Sequence, residues 1–340
     1  MKAAYLIKYG PADNAFEIRE VINPKPNSNQ ILIKVEAFGL NFADVMARLG
    51  LYKGAPPLPA LLGYDVVGHV EKIGIDVKNI RVGDRVTALT RFGGYAEYAL
   101  AEKGVTNKIP ETIAAGEAVA LATQYCMAYL LSHEIIPLQE NDKVLIHAAA
   151  GGVGTALTQM ALNKKCIIFG TCSSQEKTEY LRKNGVHHPI NHQKKDFAKT
   201  IKTIIGNDGL DAVFNPVGGK SLKQGFRLLG AGGRLAAYGL SSMNQTKSIF
   251  GKLRVLAQSG IYHPVQFLIT SKGMIGVNML KIGEQKPEKI ARVMKAVIDL
   301  HEEGILKPRV GGEFSIDGLA EAHTFLESRK STGKIVIKWS

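Results

Sequence analysis

The 340-residue chain carries 45% hydrophobic and 21% charged residues, a globular balance on more length than one ordinary core uses, which argues for two domains and against bulk disorder. The net charge of +13 favours anionic partners, but it is scattered, with pairs such as Lys164-Lys165 as its densest runs, so no dedicated nucleic-acid arm is expected. Three cysteines, Cys126, Cys166 and Cys172, without a CxxC pair argue against a disulfide framework and a cysteine-rich zinc site.

The N-terminus, Met1 to Lys8, has a charge within its short apolar run and lacks the apolar region of a secretory signal. No uncharged apolar stretch is long enough for a membrane span. Reduced thiols and a cytoplasmic location are therefore expected.

Residues 1–120 read as short strands broken by turns. Ile31 to Ala37, Val66 to Ile73 and Arg85 to Leu89 have strand character, with Gly83-Asp84 as a turn before the last. The run Pro56-Pro57-Leu58-Pro59 fits neither helix nor central strand. An antiparallel, barrel-like β domain is expected here.

From about residue 120 the period changes. Ala118 to Leu131 reads as a helix, and strands and helices then alternate. Strands are expected at Val144 to His147, Cys166 to Gly170, Val186 to Ile190, Leu210 to Phe214, Gly233 to Tyr238 and Met274 to Val277. Helices are expected at Val153 to Asn163, Gln175 to Asn184, Asp196 to Ile205 and Ser221 to Leu229. Such alternation implies a doubly wound parallel sheet over residues 123–278. Residues 279–340 carry a helix from Pro287 to Glu303 and a last strand, Lys334 to Lys338, expected to return to the first domain.

The most informative motif is His147-Ala148-Ala149-Ala150-Gly151-Gly152-Val153-Gly154, which follows a short apolar strand and opens a helix. It reads as a dinucleotide fingerprint with Ala149 at the first glycine position, then Gly151 and Gly154. Gly151 lets the backbone approach a pyrophosphate, Gly154 lets helix and strand pack closely, and the N–H groups around Gly152 and Val153 face the phosphates. The alternative is a glycine-rich turn without a ligand.

Cofactor choice rests on the end of the second strand. An NAD site wants a carboxylate about 20 residues past the loop. This chain has Cys172 there, followed by Ser173, Ser174 and, one turn on, Lys177. Nothing repels a 2′-phosphate, so NADPH is the expected cofactor. Lys177 can equally be a surface lysine on the first turn of a helix.

The whole chain resembles the medium-chain dehydrogenase/reductase superfamily, and within it the zinc-free quinone oxidoreductases. The resemblance rests on Gly39-Leu40-Asn41-Phe42-Ala43-Asp44, Gly50-Leu51-Tyr52, Leu62-Gly63-Tyr64-Asp65, Gly83-Asp84-Arg85-Val86, Gly94-Tyr95-Ala96-Glu97-Tyr98, Ala148 to Gly154 and Thr332-Gly333-Lys334-Ile335-Val336. Thr246 to Phe250 and Tyr262-His263-Pro264 are similar to the vesicle amine transport protein branch.

The resemblance implies an α/β protein: a GroES-like β-barrel catalytic domain (1–122 and 279–340) split by a Rossmann domain (123–278), with the active site in the cleft. It also implies a homodimer joined edge to edge through the Rossmann sheets. It places Asn41 near the nicotinamide, Tyr52 beside the substrate and His192 near the 2′-phosphate. Val217, Tyr238, Ser241 and Lys334 are further cofactor positions. Asp44 can instead be only a helix cap, Asn41 a turn residue and Tyr52 packing. Met127 stands where the family often has threonine, which leaves the pocket more apolar.

Zinc-dependent relatives carry a ligand cysteine where this chain has Asn41, and Gly-His-Glu where it has Gly63-Tyr64-Asp65. The four close cysteines of their structural zinc are missing too, so no metal is expected. Without a Lewis acid, only hydrogen-bond donors stabilise a developing oxyanion. A quinone or conjugated enone needs less help than a simple alcohol, so a zinc-independent NADPH-dependent reductase of such acceptors is expected. Competing readings are a nucleotide-binding, membrane-associated or regulatory protein with little turnover, and an RNA-binding protein.

Overall fold

The computed structural model describes residues 1–245 and 248–339; Thr246 and Lys247, part of the branch-specific stretch, lie outside the described residues. The chain forms two compact units, Met1–Cys126 with Leu280–Ser340, and Met127–Met279.

The first unit is built on a seven-stranded sheet. Its path runs Val310–Ser315, Lys334–Lys338, Gln30–Leu40, Asp65–Ile73, Arg85–Leu89 and Thr106–Lys108, with Tyr98–Glu102 also paired to Gln30–Leu40. A smaller sheet orders Phe16–Glu20, Lys2–Leu6 and Ala60–Leu61. The strand Gln30–Leu40 shows why this region is β: Ile31, Ile33 and Val35 alternate with Lys34 and Glu36, and the apolar set enters the core with Phe38 and Leu40. Each such fully buried side chain contributes about 1.5–3 kcal/mol. The C-terminal strand closes the sheet antiparallel to it, Ile335 opposite Leu40 and Ile337 opposite Phe38.

The second unit is a six-stranded sheet in which every pairing is parallel. Its order is His188–Asn191, Ile167–Cys172, Lys143–Ile146, Leu210–Asn215, Leu229–Ala237 and Gly273–Gly276. The order reverses on either side of Lys143–Ile146, the topological switch point of a doubly wound sheet. Leu145, Phe169, Val213 and Leu235 fill the sheet centre, packed by Phe197, Ile201 and Phe226 from the helices Phe197–Ile205 and Lys220–Leu228.

Two stretches differ from expectation. Ala118 to Leu131 is not one regular helix: α-helix at Ala115–Ala120 and Cys126–Tyr129 alternates with π-helical turns at Leu121–Tyr125 and Leu130–Ile135. Helices also occupy Ile249–Gln258 and Pro264–Thr270, where none was expected. Phe250, Leu253, Leu268 and Ile269 stand exposed on them, so no buried face betrays a helical period.

Burial sets the acid response of the second unit. Burial pushes the His147 imidazole down to about 3 and His133 to about 4. Both stay neutral while folded, whereas the unfolded chain protonates them from about 6.5 downward. The unfolded state then binds more protons, so stability falls with falling pH, by up to about 1.4 kcal/mol per pH unit for each histidine. Melting temperatures measured from pH 6.5 down to 4 are expected to fall steadily; a flat profile would contradict these burials.

Candidate functional site

In the second unit the candidate residues gather at the carboxyl ends of the parallel strands. The loop after Lys143–Ile146 is stitched to its neighbours. His147 donates its backbone N–H to the Phe214 carbonyl at 3.0 Å, and Ala149 donates to the Thr171 carbonyl at 3.0 Å. Ala148 takes a left-handed φ of 52°, and Gly151 closes the turn by donating to the Ala148 carbonyl at 2.9 Å. The left-handed position is thus Ala148, while Ala149 turns its methyl into the core opposite Gly170.

The helix Gly152–Asn163 then starts with Gly151 as its N-cap. The N–H groups of Gly152, Val153 and Gly154 precede any intrahelical acceptor and carry the positive end of the helix dipole. A Cβ on Gly151 would find only the Ala148 carbonyl oxygen, at 3.3 Å. A Cβ on Gly154 would lie 2.4 Å from that oxygen and 2.6 Å from the Ala149 Cα. Gly154 is therefore required by helix–strand packing, whereas Gly151 leaves open space where a phosphate can approach. A dinucleotide fits this turn.

Cys172 ends the strand Ile167–Cys172 with its thiol buried against the Thr178 hydroxyl at 3.3 Å. The position presents no carboxylate. Ser173 and Ser174 follow, half-buried; Ser174 caps the helix Gln175–Lys183 by accepting from the Lys177 backbone N–H at 3.1 Å. Its hydroxyl hydrogen stays available to donate. Lys177 is half-buried on the same turn, and His192 is exposed just past His188–Asn191.

Asn215 is a residue the sequence reading missed. Wholly buried at the end of Leu210–Asn215, it accepts from the Val217 and Gly218 backbone N–H groups at 2.8 and 2.9 Å and donates to the Ser221 hydroxyl at 3.1 Å. It holds the turn that carries Val217. Tyr238 and Ser241 are tied to the same loop by backbone donation to the Asn215 and Pro216 carbonyls. The Asn-Pro-Val-Gly-Gly run after an apolar strand was the available signal.

The first unit contains a second cluster. Asn41 precedes the helix Phe42–Arg48 and is buried. Its side-chain amide donates to Asp65 at 3.2 Å, and its amide oxygen accepts from the Lys334 ammonium at 3.0 Å. Lys334 also pairs with Asp65, both fully buried. The pair needs Gly39: a Cβ there would fall 2.0 Å from the Lys334 Cε. Lys334, expected at the cofactor, is enclosed by Asp65 and Asn41 here.

Asp44 lies one turn inside the helix, fully buried, accepting the Asn41 backbone N–H at 2.8 Å. Burial, with Asp65 nearby, pushes its carboxyl up to about 7. Tyr52 is half-buried and meets Tyr64 edge-on, ring centres 6.4 Å apart. Beyond them Tyr95 is stacked on Phe38 and hydrogen-bonded to His323 at 3.1 Å.

A divalent metal does not fit this cluster. Asp65 and the Asn41 oxygen already face the Lys334 ammonium, whose charge repels a dication. Among the described residues, no three His, Cys, Asp or Glu lie together in a way that could hold a metal ion.

The chain combines a doubly wound sheet that carries a phosphate-ready turn with a β unit that carries a buried polar cluster at the helix start Phe42. Residues 27–111 match the alcohol dehydrogenase GroES-like domain and residues 152–284 the zinc-binding dehydrogenase family. A synaptic vesicle membrane protein VAT-1 homolog of Danio rerio is 32% identical, over 99% of this chain and 69% of its own length. The quinone oxidoreductase of Rattus norvegicus is 30% identical over 99% of this chain and 97% of its own. Escherichia coli quinone oxidoreductase, solved in complex with NADPH, superposes with a TM-score of 0.87 at 25% identity, covering 99% of this chain and 100% of that one. The chain belongs to the medium-chain dehydrogenase/reductase superfamily, with the quinone oxidoreductases and VAT-1 homologues.

Proposed function

We propose that the protein is an NADPH-dependent reductase that transfers a hydride to a quinone or conjugated enone without zinc. The observation that carries this reading is the open helix-start turn at Gly151, followed at the next strand end by Cys172-Ser173-Ser174 in place of a carboxylate. In this reading Gly151, Gly152, Val153 and Gly154 receive the pyrophosphate against Ala149. Ser173, Ser174, Lys177 and His192 receive the 2′-phosphate, and Val217, Tyr238 and Ser241 line the rest of the cofactor. Tyr52 donates to the acceptor oxygen, and Asn41, held by Lys334 and Asp65, orients the nicotinamide. The NADPH complex of the Escherichia coli relative supports the cofactor.

The test is a titration of NADPH and NADH against the wild type and Lys177→Ala, with a screen of quinones and enones followed by loss of NADPH absorbance. A charge-assisted bond contributes about 1.5–3 kcal/mol, so Lys177→Ala should weaken NADPH about tenfold to a hundredfold and barely alter NADH. Equal losses for both cofactors would remove the lysine from the phosphate site. Tighter NADH than NADPH binding by the wild type would overturn the cofactor reading, and about one tightly bound zinc per chain the metal-free one.

We propose a cytoplasmic homodimer as well. The strand Gly273–Gly276 forms one edge of the parallel sheet, and Phe250, Ile261, Leu268 and Ile269 stand exposed in the segment leading to it. An apolar face beside an open strand edge favours a second copy. Among the described residues no helix is long and apolar enough to cross a membrane. The vesicle membrane name of the Danio rerio relative favours a second reading, a membrane-associated protein with little turnover; absence of any quinone or enone reduction would support it.

A further inference from the structure

One residue of the neighbouring strand grips the nucleotide turn at two consecutive N–H groups. Thr171 stands one place beyond the last ladder position between Ile167–Cys172 and Lys143–Ile146, where Gly170 lies opposite Ile146. Its carbonyl accepts the Ala149 N–H at 3.0 Å. Its hydroxyl oxygen accepts the Ala148 N–H at 3.3 Å and lies 3.1 Å from the His147 Nδ1. Thr171 and His147 are buried, whereas Ala148 is exposed. The hydroxyl thus meets the N–H of the one left-handed residue in the turn.

Counting donors and acceptors fixes which way these bonds run. A threonine hydroxyl has one hydrogen to donate and two lone pairs. A lone pair takes the Ala148 N–H. Among the described residues, the other polar atom bonded to this hydroxyl is the His147 Nδ1. The hydrogen therefore goes to Nδ1, and the neutral imidazole carries its own hydrogen on Nε2. Nε2 is buried without a hydrogen-bond partner, and the ring stands at 88° to that of Phe197 with centres 4.9 Å apart. The opposite tautomer would leave two atoms unsatisfied, the Thr171 hydrogen as well as Nε2, in a place where each is costly.

A left-handed φ strains an alanine and persists only where the surroundings impose it. The exposed Ala148 methyl buries nothing that would offset the strain, so the hold must come from the backbone contacts. That hold matters downstream. The Ala148 carbonyl accepts the Gly151 N–H at 2.9 Å, and it is the oxygen against which Gly154 is packed. Its direction sets where the helix Gly152–Asn163 begins. We propose that Thr171 is the positioning residue of the nucleotide turn: its hydroxyl, oriented by His147, holds Ala148 left-handed and so aims the N–H groups of Gly152, Val153 and Gly154 at the pyrophosphate. The inference rests on the cofactor reading above.

Three variants test it: Thr171→Val, Thr171→Ser, and Thr171→Val combined with Ala148→Gly. Valine keeps the shape and loses the hydroxyl, and serine keeps the hydroxyl. Glycine adopts the left-handed conformation without strain. NADPH should bind Thr171→Val about tenfold more weakly, the effect of losing a neutral hydrogen bond or two. Thr171→Ser and the double variant should bind it nearly as the wild type does. Nitrogen-15 NMR of the assigned His147 ring, without ligand, should place the hydrogen on Nε2, and the Nδ1 signal should move in Thr171→Val. Unchanged NADPH affinity in Thr171→Val, a loss that glycine does not restore, or a hydrogen on Nδ1 in the wild type overturns the proposal. If Thr171→Val does not fold, the double variant decides: a folded protein that binds NADPH supports the proposal, and an unfolded one shows that Thr171 serves the core and ends it. If the wild type binds no NADPH, the cofactor reading falls, and NMR with thermal melts decides. A bare Nδ1, with a melting loss in Thr171→Val that Ala148→Gly largely recovers, then supports the hold on Ala148, and the absence of either ends it.

Discussion

Gly151→Val should leave the nucleotide-binding unit folded and weaken its hold on NADPH by a hundredfold or more, whereas Gly154→Val should destabilise the unit itself. The two glycines are three residues apart in one turn, yet their surroundings differ. At Gly151 a side chain meets one carbonyl oxygen at ordinary close range, 3.3 Å, and otherwise projects into open space. In the proposed function that space receives the phosphates against the N–H groups, so a valine would block several charge-assisted bonds, each contributing about 1.5–3 kcal/mol. At Gly154 the added carbon would overlap backbone atoms at 2.4, 2.6 and 2.8 Å. Backbone cannot rotate out of the way, and overpacking costs on the order of 3 kcal/mol. Thermal melts with NADPH titration separate the cases. A folded Gly151→Val protein with wild-type NADPH affinity would move the cofactor away from this turn.

The second large effect is expected at Lys334. Lys334→Met keeps the length of the side chain and removes the cation paired with Asp65. Breaking a buried pair by deleting one partner costs about 3–5 kcal/mol, because the remaining charge stays desolvated. The double variant Lys334→Met with Asp65→Asn should recover most of it, since no uncompensated charge is left. Denaturant unfolding of the wild type and both variants measures this. A Lys334→Met protein within about 1 kcal/mol of the wild type, too small for a buried ion pair, would show that the pair is not desolvated as described.

The two clusters differ in how far the sequence disclosed them. The nucleotide turn is local: eight consecutive residues between an apolar strand and a helix carry their own geometry, and the structure places them at the sheet's switch point. The alternation of strands and helices from Lys143 onward was readable for the same reason, because each period is short. The left-handed residue in this turn is Ala148, which a turn stitched at both ends can hold there. The buried charge cluster around Asp65 is different in kind. Asp65 and Lys334 are 269 residues apart, and no periodicity links them; only the return of the last strand beside Gln30–Leu40 brings them together. Asn215 was overlooked because its partners are backbone N–H groups, which carry no side-chain signature. The helices Ile249–Gln258 and Pro264–Thr270 were missed because their apolar residues are exposed, so hydrophobic period and burial part company there.

That return of the chain also sets an order of events during synthesis. The nucleotide-binding unit is one continuous stretch, complete once Met279 has left the ribosome. The other unit is assembled from two separate segments, Met1–Cys126 and Leu280–Ser340. Until Lys334–Lys338 emerges, the long strand Gln30–Leu40 lacks the neighbour that occupies its flank from Ala37 to Leu40, and Asp65 lacks its cation. An apolar strand edge and a carboxylate bound for burial must therefore wait through most of translation. A nascent chain halted just short of Lys334 would carry a finished dinucleotide fold tethered to an unfinished partner, which makes the strand Lys334–Lys338 the step that commits the first unit.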